Sequence, residues 1–155
     1  LSPCARRPRE RRHALRLALA ALLAPPGPAA GAAAAELVLS ADAGGLFYSR
    51  GRINGRTVDF LLDTGASAVT LGQAQAEALG LAWRDAPRAL AHTALGSVEA
   101  RLLELDEVQL GPLRAQRVGA AVLPAALPQV LLGNSFLGRF DWRREGAVLT
   151  LRARR

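Results

Sequence analysis

After residue 36 short strand-like segments, divided by turn residues, recur along the chain, and the alternation of apolar and polar residues is clearest in one of them. The clearest case is Leu46 to Asp63, LFYSRGRINGRTVDFLLD. Asn54-Gly55 divides this stretch, and both residues tolerate the positive φ of a tight hairpin turn, so two antiparallel strands are expected. In the second strand Val58, Phe60 and Leu62 fall on one face, and Thr57, Asp59, Leu61 and Asp63 on the other. AVTL, from Ala68, reads as a further short strand. The Ala/Gln/Glu-rich run 72–79 reads as a helix stopped at Gly80. From residue 88 the β pattern resumes. A turn is expected at Leu95-Gly96-Ser97, and LRAQRVGAAVLP gives a strand ended by Pro124. PQVLLGNSFLGRF gives a short strand, a glycine and a helical turn, and the last 16 residues form a hairpin turning at Glu145-Gly146. Many short strands with one or two short helices predict an all-β, closed, barrel-like domain.

The first 35 residues follow a different pattern. A basic head, LSPCARRPRERRH, precedes the apolar run ALRLALAALLA and a Pro/Ala-rich stretch. The run is shorter than the ~20 residues needed to span a bilayer and has the length of a signal-peptide core, with Ala33-Ala34-Ala35 as a cleavage site. The domain is therefore taken as 36–155, and 1–35 as an export signal. An uncleaved amino-terminal membrane anchor and a disordered tail are the alternatives. Either of the first two places the domain outside the cytoplasm, in the periplasm or anchored to the inner membrane facing it.

Charge sharpens this division. The net charge is +7, but residues 1–35 hold six Arg against one acid, whereas 36–155 hold 14 Arg against 12 acids. Nucleic-acid binding needs clustered positive charge, and the domain is close to neutral. The one cysteine, Cys4, lies in the basic head, so the domain has neither a disulfide nor a thiolate metal site. With two His in the chain, one of them in the head, a zinc or haem site lacks ligands, and no metal or cofactor is expected.

The chemistry centres on FLLDTGASAVTLG, Phe60 to Gly72. Its apolar start predicts an internal strand ending on Asp63. A carboxylate there needs hydrogen bonds to stay ionised. Thr64 can bond nearby backbone, Gly65 can turn amide N–H groups toward the acid, and Ser67 can donate to its outer oxygen. An isolated Asp-Thr-Gly is more often a turn-capping Asp, but the apolar flanks and the following helix make this arrangement more specific. Ser67 with His92 could in principle form a hydrolase pair, but Gly-Ala-Ser-Ala-Val is not the G-x-S-x-G elbow, and His92 reads as solvated or packed. Trp83 and Trp142 read as core or rim packing.

FLLDTGASAVTL resembles the active-site loop of the single-domain, retropepsin-like aspartic proteases. Downstream, VLLGNSFLGRFD resembles that family's apolar–apolar–Gly segment. The layout is similar to exported bacterial members, and the resemblance covers about residues 45–152. It implies a closed-barrel retropepsin fold and an aspartic endopeptidase acting on an extended peptide or protein substrate. Asp63 would be the catalytic acid, Thr64 an interlock with a partner, and Gly65, Ala66 and Ser67 the rest of the loop. Leu131, Leu132 and Gly133 would wall the loop from behind. Thr93 to Val98, with Ala94, Leu95, Gly96 and Ser97 near its tip, would be a flap that offers only one glycine.

Such chemistry uses two carboxylates sharing a proton. Asp59 is about 7 Å from Asp63 along the strand, and neither it nor Asp106, Glu107 or Asp141 is followed by Thr-Gly. A homodimer with Asp63 on its two-fold axis supplies the second acid. The alternative from another class is a non-catalytic peptide-binding or dimerisation module that keeps the fold.

Overall fold

The structure is a computed structural model, and it describes residues 35–93 and 96–154. The export-segment reading of 1–35, apart from Ala35, and the flap-tip residues Ala94 and Leu95 fall outside the described residues.

The strands are β1 (Glu36–Ser40), β2 (Tyr48–Ile53), β3 (Arg56–Leu62), β4 (Val69–Gly72), β5 (Arg88–Thr93), β6 (Gly96–Leu110), β7 (Leu113–Leu123), β8 (Val130–Leu132), β9 (Phe140–Glu145) and β10 (Val148–Ala153). Two short helices, α1 (Gln73–Ala78) and α2 (Asn134–Leu137), interrupt them. Six strands form a ring in the order β2-β3-β8-β4-β7-β6, and β6 pairs back onto β2 through Gly51↔Leu110 to Ile53↔Val108. This is the closed all-β barrel expected from the strand pattern. β5 extends from β6 outside the ring, and β1, β10 and β9 form a separate three-stranded sheet.

Local chemistry explains the elements. Asn54 and Gly55 take φ of 47° and 79° between paired Ile53 and Arg56, the mirror-image turn that matches the twist of a hairpin. A Cβ at Gly55 would meet nothing within 4 Å. Gly55→Ala should therefore cost only the strain of that φ, about 1 kcal/mol, read as a small drop in urea midpoint at unchanged slope. In β3 the two faces separate as the alternation requires: Phe60 and Leu62 are buried while Thr57 and Asp59 are exposed. The barrel interior holds Ile53, Phe60, Leu71, Leu105, Leu132 and Phe136, all fully buried, and the Phe136 and Phe140 rings lie 4.8 Å apart. Helix α1 ends before Gly80, and Gln75 ties its start down, accepting the Gly72 N–H and donating to the Leu127 carbonyl.

Two turns differ from their expected positions by a residue or more. Gly96 and Ser97 belong to β6, where they pair with Thr93 and His92. The pairing thus runs on to Thr93↔Gly96, through two of the three residues expected to turn. At the carboxyl end, Glu145 pairs with Val148, so the connection is Gly146-Ala147 rather than Glu145-Gly146. In both cases the ladder extends further toward the tip than composition suggests, because each added cross-strand pair satisfies backbone groups.

The long β6–β7 hairpin carries one irregularity. Leu105↔Val118 and Glu107↔Gln116 pair, while Arg117 between them has φ of 52°. Arg139 holds this point, its guanidinium donating to the carbonyls of Gln116 and Arg117 and its Nε to that of Ser135. Glu104 raises the pKa of Arg117 above its ordinary value, first by hydrogen bonding and then by charge. Since arginine stays protonated in any case, this has no effect on behaviour at accessible pH.

Candidate active site

Asp63 is the first residue after β3, an internal strand of the ring. Residues 63–68 arch from β3 to β4. Between those two strands lies β8, parallel to β3 through Phe60↔Val130, Leu61↔Leu131 and Leu62↔Leu132, and touching β4 at Thr70↔Leu131. The arch therefore rests on the end of β8. Asp63 N–H donates to the Leu132 carbonyl at 3.1 Å, Asn134 N–H to Ala66 at 2.8 Å and Ser135 N–H to Ser67 at 2.9 Å. Leu131, Leu132 and Gly133 thus sit behind the loop.

Gly133 allows this contact. A Cβ there would lie 2.3 Å from the Ala68 carbonyl oxygen and 2.7 Å from that of Ala66. Two side chains complete the seat. Asn134 donates from Nδ2 to the Thr64 carbonyl at 2.8 Å, and Ser135 Oγ accepts the Val69 N–H at 3.0 Å. Neither residue was singled out from the sequence. The signal was available: two short polar residues directly after an apolar–apolar–Gly strand are suited to hold the backbone that strand supports.

The Asp63 carboxylate is held by backbone. Its Oδ1 accepts the Gly65 N–H at 2.8 Å, and its carbonyl accepts the Ala66 N–H. Oδ2 has no hydrogen bond among the described residues. The expectation that Ser67 donates to the acid and that Thr64 bonds nearby backbone through its hydroxyl is corrected. Both residues are exposed and neither side chain bonds the loop, because α2 already satisfies the backbone around them.

Above the loop is a cleft of about 690 Å³. Asp63, Gly65, Ala66 and Ser67 form its floor with Leu131, and Ala89 to Thr93 of β5 form the facing wall. The β5–β6 hairpin thus borders the cleft as a flap would, with Gly96 at the start of β6. His92 does not pair with Ser67: its Nδ1 is 2.9 Å from Ser97 Oγ across the hairpin. Among the described residues, Asp63 is the one acid lining the cleft. The other acids named as partners are elsewhere: Asp59 pairs with Arg50, Glu107 with Arg114 and Asp141 with Arg154, in ion pairs at the surface. Among the described residues, no group of three or more His, Cys, Asp or Glu could hold a metal ion.

On the other side of the loop lies a second groove of about 370 Å³, lined by Leu46, Phe47, Leu62, Asp63, Thr64 and Trp142, among others. Leu46 and Trp142 are 44% and 45% exposed. Trp142 is thus on a rim, whereas Trp83 is buried. Asp63 and Thr64 form the ridge between the two grooves.

The comparisons agree with this geometry. The family described as "gag-polyprotein putative aspartyl protease" matches residues 49–139, which span both the loop and its seat. A retropepsin-like aspartic protease from Rickettsia conorii superposes with a TM-score of 0.69 at 28% identity, covering 78% of this chain and 92% of that one. The EIAV protease, solved with the inhibitor HBY-793, superposes with a TM-score of 0.50 at 22% identity, covering 59% and 84%, a likeness of fold alone. An uncharacterised protein encoded in the cobV 5' region of a Sinorhizobium species is 33% identical over 108 residues. That match covers 68% of this chain and 46% of the relative, so the chain spans about half the relative's length.

Proposed function

Since the chain belongs to the family of retropepsin-like aspartic proteases, we propose that it is an aspartic endopeptidase whose active site is assembled from two copies. One observation carries this reading: among the described residues the cleft offers a single acid, Asp63, which is bonded through Oδ1 and not through Oδ2. Two such loops facing each other across a two-fold axis bring two carboxylates together, and like charges that close share one proton. The ionised carboxylate takes a proton from a water, and its protonated mate polarises the scissile carbonyl. The water oxygen then bonds to the carbonyl carbon, and collapse of the tetrahedral adduct passes a proton to the leaving amine. The substrate chain lies extended along the cleft, pairing its backbone with the hairpin as an added strand does. The test is cleavage of a mixed peptide library by the parent and by Asp63→Asn. Binding without cleavage in either protein would favour a peptide-binding module.

The groove beside Thr64 supports the dimer. A partner meeting the chain at Asp63 also approaches Thr64, and the exposed Leu46 and Trp142 adjoin it. A large aromatic at the centre of an interface commonly dominates its energy. Trp142→Ser should therefore weaken self-association by about tenfold or more, read as mass against concentration by sedimentation. Equal association by the parent and the variant would place the interface elsewhere. The basic and then apolar character of residues 1–24 supports action outside the cytoplasm.

A further inference from the structure

Thr64 is held differently from its neighbours in the arch. Asp63, Ala66 and Ser67 are fixed by backbone-to-backbone bonds, and Gly65 by the Asp63 carboxylate. Among the described residues, Thr64 makes one hydrogen bond to the rest of the chain: its carbonyl accepts from Asn134 Nδ2 at 2.8 Å. Its N–H and hydroxyl have no such partner, and the residue is exposed. The Thr64 carbonyl belongs to the same planar peptide unit as the Gly65 N–H. That N–H donates to Asp63 Oδ1 at 2.8 Å, so the unit is gripped at both ends, by Asp63 and by Asn134. Asn134 is itself anchored. Its N–H donates to the Ala66 carbonyl at 2.8 Å, and its carbonyl accepts the Gly138 N–H at 2.9 Å. A carbonyl only accepts, so the nitrogen of the Asn134 amide, not its oxygen, must face Thr64.

We propose that Asn134 is a positioning residue for assembly of the two-copy site: it sets the Thr64 peptide so that the Thr64 hydroxyl meets a second copy of the chain. The proposal rests on the two-copy reading and deepens it by naming the group that prepares the contact. Asp63 and Thr64 form the ridge between the two grooves, and a two-fold axis at that ridge brings each Thr64 to its mate. A hydroxyl both donates and accepts, so the two copies can exchange identical bonds when both Thr64 residues stand in register. Fixing the peptide unit at both ends limits where the Thr64 side chain can stand. Without the Asn134 amide, the unit keeps its hold on Asp63 alone and the carbonyl end swings freely. The restraint is then paid for on association instead, as lost conformational freedom.

The experiment measures self-association of the full chain by sedimentation at neutral pH. The proteins are the parent, Asn134→Ala, Asn134→Asp, Thr64→Ala and the double variant Asn134→Ala/Thr64→Ala, each also melted thermally. Asn134 is exposed, so every variant should melt close to the parent. Asn134→Ala should weaken the dimer about tenfold, because each dimer loses the restraint twice. Asn134→Asp keeps the shape but offers no N–H, and should lose at least as much. In the Thr64→Ala background, adding Asn134→Ala should cost less than about a further twofold, because the hydroxyl that Asn134 positions is already gone. A residue that only held the fold would lower the melting temperature and add its effect whatever stood at position 64. Association of both Asn134 variants equal to the parent, or an Asn134→Ala effect that adds in full to Thr64→Ala, overturns the proposal and leaves the peptidase reading standing. A parent that is monomeric at every concentration defeats the two-copy reading and this proposal with it. The expected coupling in a parent that dimerises but cleaves no peptide of the library supports the proposal while defeating the peptidase reading.

Discussion

If the proposed function holds, replacing Asp63 by Asn should lower peptide cleavage about a thousandfold or more while leaving the fold and the proposed dimer intact. On the proposed reading this side chain has two separable roles. Its structural role is to accept the Gly65 N–H through Oδ1, and an amide oxygen of the same shape can do that. Its proposed chemical role requires an oxygen that takes and returns a proton, which an amide cannot do. The side chain is only partly buried, so the exchange leaves no uncompensated charge inside the barrel. The measurement is kcat/KM on a peptide chosen from the library, with sedimentation and thermal melting of both proteins alongside. Undiminished cleavage would show that another group does the chemistry. Loss of the dimer together with activity would show that the acid also holds the assembly.

The second large effect is expected at Gly133. Its φ of −90° suits any residue, so the backbone conformation is no obstacle to alanine. The obstacle is space. The new Cβ would sit 2.3 Å from the Ala68 oxygen, 2.7 Å from the Ala66 oxygen and 2.8 Å from the Ala68 carbonyl carbon. All three are backbone atoms, so no rotamer change relieves the clash. Either β8 leaves its place between β3 and β4, or the 63–68 arch lifts from its seat. In the second case the Asn134–Ala66 and Ser135–Ser67 hydrogen bonds break. Gly133→Ala should cost about 3 kcal/mol or more, a fall in melting temperature of roughly 10 °C, with a loss of activity beyond what the unfolded fraction explains. It should cost clearly more than Gly55→Ala, where the added methyl meets open space. Equal melting of the Gly133 variant and the parent would mean that the arch yields freely and does not rest on β8.

The tandem of a tight turn and strict alternation made the β2–β3 hairpin readable from local chemistry, as did the helix stop before Gly80. Strand β6 was harder to read. Its 15 residues pair with β5 over 96–101, with β7 over most of 101–110, and with β2 over 108–110. Its residues face the cleft at one end and the barrel core at the other, so no single alternation runs through it. The seat of the 63–68 arch was half legible. Leu131, Leu132 and Gly133 follow from resemblance to known motifs, whereas Asn134 and Ser135 act through backbone groups some 70 residues earlier, a relation no local pattern encodes.

The sequence by itself determined the all-β character, the acid on its Thr-Gly turn and the absence of a second such motif, because alternation, turn chemistry and residue identity are local properties. Only the tertiary structure decided that backbone rather than the Thr64 and Ser67 side chains holds Asp63, that His92 bonds Ser97 across the hairpin rather than Ser67, and that β8 lies beneath the loop. Those features depend on which distant strands lie side by side. Ring closure through β2 and β6 sets that order by burying the apolar faces of all six strands at once, which no segment can do alone.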